Sequence, residues 1–196
     1  MKFQALAWHK ASLQLPLSAT LTGVNESSSV STCCGSPGNP GRIPNERRFA
    51  EACVNLKLVP ASAEHLPFAR DLTRSGMLRY YCQYDLLWLD EAFDQAWDWR
   101  EQWLVTAGEQ HLGFCSLSQD SRALYIRELH IVQSARGRGI GSWVLQELDT
   151  WAVRRRLPLL RLTVFKSNPA RALYLRKGFV EQGEEECFVR MQRTSY

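Results

Sequence analysis

The amino-acid sequence predicts an α+β fold, in which a central and mostly antiparallel sheet is flanked by helices. Three observations predict it. Short apolar or alternating runs, typical of strands, recur along the chain between turn-forming residues. Longer stretches carry apolar residues at helical spacing. The closing segment, GFVEQGEEECFVRMQR, has the pattern of two strands joined as a hairpin. Helices inserted along such a sheet indicate this mixed fold class.

The chain is predicted to divide near residue 53. Residues 23–45 read GVNESSSVSTCCGSPGNPGRIPN and contain almost nothing to bury, so ordering them would not offset the lost entropy. We therefore expect residues 1–52 to form a flexible Ser/Gly/Pro-rich extension and residues 53–196 to form the folded domain. The start of the chain has some apolar character, but His9 and Lys10 interrupt it before it reaches signal-peptide length. The pattern leaves open whether the extension is a genuine tail or follows from a start codon set too early.

The first half of the domain alternates strand and helix patterns. A strand is predicted at VNLKLVPAS and a helix at AEHLPFARDLTRSGM. One or two further helices are predicted in the aromatic and acidic stretch YYCQYDLLWLDEAFDQAWDWREQW. Two strands, QWLVTAG and HLGFCSLS, are joined by the turn-like GEQ. Another strand, ALYIRELHIV, ends where a glycine-rich loop begins.

The second half carries the clearest helix, over residues 139–156. Three arginines close it, where the helix dipole favours cations. The apolar residues that fall on one face of this helix are Ile140, Trp143, Val144, Leu148, Trp151 and Ala152. A strand follows at LPLLRLTVFK. A short helix is then predicted, with Asn168 as its cap and Pro169 as its first residue, closed by Lys177 and Gly178.

Composition limits the classes of function. The chain has 196 residues, 45% of them hydrophobic and 22% charged, which is typical of a soluble globular protein. The formal net charge of +4 leaves room for an anionic ligand without requiring a nucleic acid. No apolar run approaches the roughly 20 residues needed to cross a bilayer. The six cysteines show neither a C-x-x-C spacing nor a paired framework, so we expect reduced thiols, no metal site and a cytoplasmic protein.

The glycine-rich loop, QSARGRGIGS at residues 133–142, has the features of a phosphate site. A P-loop is disfavoured because no lysine follows these glycines, and a dinucleotide fingerprint because the third glycine comes one residue too early. General physics still favours an anion, since glycines let the backbone approach a phosphate and the following helix points its positive end there. The alternative is a tight turn with a solvated basic face.

Two separated motifs resemble the GNAT superfamily of N-acetyltransferases. One is RELHIVQSARGRGIG, and the other, after a helix and a strand, is NPARALYLRKGF. The resemblance covers roughly residues 54–193 in the order of elements, and two motifs at the expected separation are more specific than one. The residues that match the family signatures are Arg136, Gly139 and Gly141 in the loop, and Asn168, Tyr174, Gly178 and Phe179 in the late motif.

The resemblance implies a fold with splayed strands that hold acetyl-CoA. In relatives the loop binds the pyrophosphate, and the preceding strand, here residues 129–132, diverges from its neighbour so that the pantetheine arm pairs with exposed backbone groups. The residues that this places against the cofactor are Ile131, Val132, Arg136, Gly137, Arg138, Gly139, Ile140, Gly141, Ser142 and Asn168.

The resemblance also implies the catalytic groups for direct acetyl transfer to a primary amine in a ternary complex. A backbone N–H near Ile131 would polarise the thioester carbonyl. Tyr174 occupies the position of the tyrosine that protonates the departing thiolate. The general base stays open between Glu128, which matches a catalytic glutamate of several relatives, His130 on the same strand face, and an ordered water.

The acceptor side is less specific. Aromatic and acidic residues between 80 and 103 suit a cationic amine, although core packing is the favoured interpretation of the aromatic stripe. The residues named for the acceptor are Tyr81, Trp88, Asp90 and Glu91. The acidic run at residues 184–186 could face an amine, but such a run is usually a solvated edge. A small amine, an amino acid, a polyamine and a protein N-terminus all stay open, as do the acyl-chain length and a homodimer.

Two other functions compete with this one. A catalytically silent acyl-CoA sensor would keep the loop, and the presence of Tyr174 disfavours it weakly. A nucleic-acid binder is suggested by RGRG and by the arginines at 154–156, but these lie at a helix start and a helix end without interleaved aromatic residues. We therefore expect no nucleic-acid or membrane partner.

Overall fold

The computed structural model of the protein describes residues 55–195. The predicted boundary near residue 53 and the extension before it lie outside the described residues. The strands are β1 Leu56–Pro60, β2 Glu101–Ala107, β3 Gln110–Gln119, β4 Ala123–Ile131, β5 Leu159–Phe165, β6 Val180–Glu185 and β7 Phe188–Thr194. The helices are α1 Leu66–Gln83, α2 Asp90–Trp97, α3 Ile140–Arg154 and α4 Ala170–Arg176, with short 3-10 turns at Ala63–His65 and Gln133–Ala135.

The seven strands form one sheet in the order β1-β2-β3-β4-β5-β7-β6. Every neighbouring pair is antiparallel except β4 and β5, which run parallel because α3 connects them. Successive side chains of a strand point to opposite faces, so each face has its own core. Cys115 belongs to the larger core, which α3 and α4 cover, whereas its neighbour Phe114 packs with Ala69 of α1 and Phe93 of α2. The predicted mixed, mostly antiparallel fold is confirmed.

Strands β4 and β5 separate half-way along their length. They pair only from Ala123 opposite Leu159 to Ile126 opposite Leu162. Beyond this point β4 continues to pair with β3, and β5 continues to pair with β7. The space between residues 127–131 of β4 and residues 163–165 of β5 is called here the β4–β5 gap. It leaves one edge of β4 without a neighbouring strand among the described residues.

A β-bulge sits where the gap begins. Leu117 of β3 is opposite Ile126, but the next residue, Ser116, is opposite Glu128, so Arg127 is an extra residue in β4. The bulge restores Glu128 to the same face as Ser116, the face that α1 and α2 cover. Because alternate residues share a face, His130 lies on that face too.

The element boundaries differ from the predicted ones mainly in α1. The stretch beginning at Tyr80 is predicted to form one or two further helices, but α1 runs through Gln83, and only Asp90–Trp97 forms a second helix. The physical reason is that Tyr80 and Tyr81 continue the buried face of α1, where they pack on Phe165. The helix ends just before Asp85, whose φ of +52° is left-handed.

Three cysteines lie within residues 55–195. Cys82, Cys115 and Cys187 are free thiols. No helix between residues 55 and 195 is long and apolar enough to cross a membrane. In the same region, no three His, Cys, Asp or Glu side chains come together in a way that could hold a metal ion.

Candidate active site

The loop between β4 and α3 presents main-chain donors. Gly137 and Gly139 have φ of +74° and +81°, a left-handed conformation that glycine adopts without steric cost. The first hydrogen bond of the helix runs from the Trp143 N–H to the Gly139 carbonyl, over 3.0 Å, and no side chain caps the helix. The N–H groups of residues 140–142 therefore have no partner within the helix. Such a helix end favours a bound anion.

Three predicted loop contacts, Ile140, Gly141 and Ser142, form the first turn of α3. The Ile140 side chain is buried and anchors the turn in the core, so only its N–H faces outward. A Cβ on Gly141 would lie 3.2 Å from Cδ2 of Leu173, so this glycine lets α3 pack closely on α4. The sequence pattern missed this packing contact, because nothing local to the loop indicates which residue of α4 will face it.

The two loop arginines are exposed, and one of them reaches back to β4. The Nε–H of Arg136 donates a hydrogen bond of 2.8 Å to the carbonyl of Ile131, the last residue of β4. Arg138 lies between the two left-handed glycines, on the exposed surface of the loop. Both guanidinium groups place positive charge beside the donors of the loop.

The free edge of β4 carries two N–H groups toward the β4–β5 gap. The Val132 N–H donates to the Leu112 carbonyl of β3 over 2.9 Å. The N–H groups of successive strand residues point alternately to the two edges, so those of Leu129 and Ile131 point away from β3, toward the gap. The Val132 carbonyl accepts from the Ala135 N–H. Ile131 thus keeps its N–H for the gap, whereas the N–H of Val132 is already used within the fold.

Glu128 and His130 form a hydrogen-bonded pair on the α1 face of β4, in which Glu128 is buried and His130 is partly buried. The distance from His130 Nε2 to Glu128 Oε2 is 2.9 Å, and their side chains are 11% and 3% exposed. The two open candidates for the general base are therefore in contact. Glu128 is enclosed, so its carboxylate contacts the imidazole and not the solvent. Most glutamates are exposed at the protein surface, and Glu128 is an exception.

Arg100, immediately before β2, completes this group and was not predicted. Its Nη1 lies 3.9 Å from Oε1 of Glu128, and its side chain is 3% exposed. Burial lowers the pKa of Arg100 to about 10, and the negative charge of Glu128 opposes that shift. A single arginine among tryptophans and acidic residues carries no sequence signal for burial, so only the fold reveals its partner.

The open strand edge, the left-handed glycines and the helix end agree with a family whose sequence model matches residues 73–179, the acetyltransferase (GNAT) family. The chain belongs to the GNAT family of acetyltransferases. Enzymes of this family use acetyl-CoA as their co-substrate, as the motifs predicted.

Solved GNAT structures share the fold at low sequence identity. A PaiA N-acetyltransferase from Thermoplasma acidophilum in complex with coenzyme A is 14% identical, with a TM-score of 0.58, covering 71% of this chain and 99% of that one. The ribosomal-protein-S18-alanine N-acetyltransferase of Escherichia coli is 18% identical, with a TM-score of 0.58, covering 71% and 94%. A spermidine N-acetyltransferase from Vibrio cholerae, in complex with CoA and spermine, is 18% identical, with a TM-score of 0.58, covering 72% and 96%. These structures confirm the GNAT fold.

Tyr174 of this acetyltransferase lies on α4, buried in the core of the α3 face. Its ring packs edge-on against Phe179, with centroids 5.8 Å apart, and the residue is 8% exposed. Burial raises the pKa of Tyr174 above its ordinary value, and Cys115 and Glu128 raise it further. The hydroxyl therefore stays protonated at neutral pH, as a proton donor must.

Asn168 caps α4 as predicted. Its Oδ1 accepts a hydrogen bond of 2.9 Å from the Ala170 N–H. The helix is assigned from Ala170, and Pro169 already has helical φ and ψ of −62° and −17°. The partly exposed position of Asn168 leaves its side-chain amide N–H groups available to a ligand.

Of the residues predicted for the acceptor, Tyr81, Trp88 and Asp90 lie in a chain of contacts that begins in the aromatic core. Tyr81 is buried against Trp88 and Phe165, with centroid distances of 5.4 and 5.9 Å, so it belongs to the aromatic core. The Trp88 indole donates to Asp90, which begins α2, over 2.6 Å. Glu91 is exposed on the first turn of α2. Core packing is thus the better account of the Tyr81 ring, although burial and the charge of Glu128 both raise its pKa.

Proposed function

We propose that this protein is an N-acetyltransferase that moves an acetyl group from acetyl-CoA directly to a primary amine in a ternary complex. The observation that carries the proposal is the β4–β5 gap. One end of the gap meets the glycine loop, and the Glu128–His130 pair lies on the strand that borders it. An anion site and a base are therefore held on one strand and the loop that follows it.

The loop and the gap fit the chemical parts of acetyl-CoA. The N–H groups of residues 140–142 and the two arginines suit the pyrophosphate. Gly137 and Gly139 place no side chain between these donors and the phosphates, and the space beside both glycines is open, because a Cβ on either would meet no atom within 4 Å. The outward N–H groups of Leu129 and Ile131 suit the amide groups of the pantetheine arm. When bound, acetyl-CoA supplies a thioester carbonyl that an amine can attack.

We assign the base to His130 and the orienting role to Glu128. The Nε2 of His130 is held by the buried carboxylate, which favours the tautomer with its proton on Nε2 and leaves the lone pair on Nδ1. Glu128 would then stabilise the imidazolium that forms when Nδ1 takes the proton of the amine, as a carboxylate does when it is hydrogen-bonded to a catalytic histidine. The positive charge of Arg100 lies 3.9 Å from the other oxygen of Glu128, inside the fold, and attracts the carboxylate without a hydrogen bond at that distance.

The remaining groups would act on the developing charges. An N–H at the free edge of β4, of Leu129 or Ile131, would stabilise the negative charge that develops on the carbonyl oxygen. Tyr174, which burial keeps protonated, would donate its proton to the departing thiolate. These roles are those of the sequence prediction; the unpaired edge of β4 supports the first, and the burial of Tyr174 supports the second.

The test of the function is thiol release from acetyl-CoA by the purified protein, measured against a panel of amines. The panel contains spermidine, free amino acids and peptides with a free N-terminal alanine, because structural neighbours act on a polyamine and on a ribosomal protein. Thermal stabilisation by acetyl-CoA is recorded in parallel. Release that depends on an amine supports the proposal. Stabilisation without release against every amine would contradict transfer and favour a silent acyl-CoA-binding protein.

The assignment of the base is tested by comparing His130→Ala with Glu128→Gln. Loss of the base is expected to lower kcat by about 10²- to 10⁴-fold, whereas the glutamine keeps a hydrogen bond to the imidazole and should cost about tenfold. Acetyl-CoA stabilisation should be equal in both variants and the wild type. The reverse order of the two rates would show that Glu128 is the base.

A further inference from the structure

Thr163 marks an open area on the α1 face of the sheet. Strand β5 lies inside the sheet, between β4 and β7, and Thr163 stands in the middle of β5. Alternation places it on the same face as Phe165, which packs against Tyr80 of α1. Phe165 is buried but Thr163 is exposed, so no helix of the described residues covers this face at Thr163. Thr163 is also the first residue of β5 beyond its last pair with β4, where the gap begins.

A tyrosine and two arginines lie beside Thr163. Tyr125 of β4 is paired with Arg161 of β5 just before the gap begins. The Cζ atom of Arg161 lies 6.0 Å from the centroid of the Tyr125 ring, and the Cζ atom of Arg127 lies 4.7 Å from it. The area formed by Tyr125, Arg127, Arg161 and Thr163 is called here the arginine face. Along β4 it leads directly to Glu128, and so to the proposed catalytic pair.

The guanidinium group of Arg161 has only neutral hydrogen-bond partners. Its Nε–H donates to Oε1 of Gln192 and its Nη1–H to the hydroxyl of Tyr125, each over 3.2 Å. Among the described residues, no carboxylate oxygen lies within 4.0 Å of this guanidinium group. Asp120 is one hydrogen bond further away, since its Oδ2 accepts from the Tyr125 hydroxyl over 2.8 Å. Arg161 can therefore still take a carboxylate from outside the fold.

The arginine face and its surroundings carry more positive than negative charge. The arginines on this part of the α1 face are Arg127, Arg161 and, opposite Thr163 on β7, the exposed Arg190. Two carboxylates with solvent contact lie on the same part of the face, those of Asp120 and, on the outer strand β6, Glu185. The charge of Glu128 is buried and faces that of Arg100. Such a surface favours an anionic partner.

We propose that the arginine face binds the acidic side chains of a peptide acceptor, whose N-terminal amine lies at the β4–β5 gap. This inference rests on the proposed function. Among the acceptors left open there, it selects a peptide with aspartate or glutamate within its first few residues. The same charges disfavour a polyamine.

The dimensions of the arginine face suit a peptide. Strand residues are spaced about 3.3 Å apart, so Arg127 and His130 are separated along β4 by about 10 Å, the length of three extended peptide residues. Arg190 lies two strands from β4, which is again about 10 Å. The positive area is therefore wider than the single carboxylate of a free amino acid.

The first experiment measures binding without turnover. Three peptides, Ala-Asp-Glu-Glu, Ala-Asn-Gln-Gln and Ala-Lys-Lys-Lys, are labelled at their C-terminal ends and titrated with the protein in the presence of coenzyme A, and fluorescence anisotropy is recorded. The acidic peptide is expected to bind about tenfold more tightly than the amide peptide, and less tightly as salt is added. Equal affinities of these two peptides, or tighter binding of the lysine peptide, would overturn the proposal.

Three variants test the location of the binding site. Thr163→Glu adds a negative charge at an exposed position, and it should weaken the acidic peptide about tenfold while the amide peptide changes by less than about twofold. Arg161→Gln should have the same effect. Arg154→Gln removes the same charge from an exposed position of α3, on the other face of the sheet, and should change neither affinity. An equal loss in Arg154→Gln and Arg161→Gln, or no loss in Thr163→Glu, would overturn the proposal.

The second experiment separates this inference from the proposed function. The acidic peptide, the amide peptide and spermidine are offered as acceptors, and thiol release from acetyl-CoA is measured. The kcat/KM of the acidic peptide should exceed that of the amide peptide about tenfold, with the difference in KM. An equal or higher kcat/KM for the amide peptide or for spermidine would overturn the inference and leave the proposed function standing. Binding of the acidic peptide without acetylation of any amine would contradict the proposed function and support the arginine face as a peptide site.

Discussion

The proposed cofactor side of the β4–β5 gap is made of main chain, whereas the proposed acceptor side is made of side chains. On the cofactor side, the donors are N–H groups of the loop, of the first turn of α3 and of the free edge of β4. On the acceptor side, the groups in reach are His130 and Glu128, and behind them stand Arg100 and the aromatic core around Tyr81. This difference explains why the sequence indicates the proposed cofactor side, through its glycines, but not the proposed acceptor side. Aromatic rings in a core and aromatic rings in a pocket have the same sequence pattern.

The largest effect is expected from Gly139→Asp on the cofactor side. A side chain at φ +81° is strained, and a carboxylate beside the pyrophosphate adds repulsion, so acetyl-CoA affinity should fall by about 100-fold or more. Calorimetric titration with acetyl-CoA measures it.

Gly108→Asp is the matched control for that change. Gly108 lies in the turn between β2 and β3 with φ +59°, and like Gly139 it has no atom within 4 Å of a built Cβ. It carries the same substitution and similar strain away from the loop, and its affinity should equal that of the wild type. An equal loss in both variants would show that strain, and not the position beside the phosphate, weakens binding.

A smaller effect, on kcat, is expected when one tyrosine hydroxyl is removed, and we compare its removal from Tyr174 and from Tyr81. Tyr174→Phe keeps the packing on Phe179 but removes the proposed proton donor, so kcat should fall by about 10- to 100-fold while the acetyl-CoA affinity changes by less than about threefold. Tyr81→Phe is the same chemical change at the same exposure, 8%, in the aromatic core, and its rate should stay within about threefold. Steady-state kinetics measure both. Equal rates for the two variants would remove Tyr174 from the mechanism.

The smallest effect concerns stability at alkaline pH. The pKa of Tyr174 is raised in the folded protein, mainly by burial, so above about pH 10 the unfolded chain releases a proton that the folded protein keeps. The free energy of unfolding should therefore be maintained below pH 10 and fall as the pH rises above it, by up to about 1.4 kcal/mol per pH unit for this tyrosine. Urea unfolding at pH 9, 10 and 11 measures the slope. In Tyr174→Phe the free energy of unfolding should fall less steeply with pH than in the wild type. An unchanged slope would mean that Tyr174 ionises as easily in the folded protein as in the unfolded chain.

The main-chain features could be predicted from the sequence because a local cause fixes each of them. The helix over Ile140–Arg154 follows from apolar spacing, and the Asn168 cap follows from its side chain. The face shared by Glu128 and His130 follows from strand alternation. The roles of these residues in catalysis stay predictions.

The features that could not be predicted depend on distant parts of the chain. Arg100 meets Glu128 only because β2, β3 and β4 are neighbours, and Leu173 meets Gly141 only because α4 packs on α3. Tyr81 belongs to α1 and not to a later helix, and its burial depends on Phe165 of β5. In each case the physical cause is a tertiary contact, and such contacts override local patterns.

The bulge at Arg127 has a consequence for how this protein can change. If β4 paired without the bulge, with Arg127 opposite Ser116, alternation would place Glu128 opposite Cys115 and turn it into the apolar core under α3, while Leu129 would face α1 in its place. The face on which Glu128 and the proposed base His130 lie thus depends on one residue of β4 being left out of the pairing with β3. Loss of Arg127 itself would close the bulge and leave Glu128 opposite Ser116, so this strand can lose that one residue and still keep its polar face.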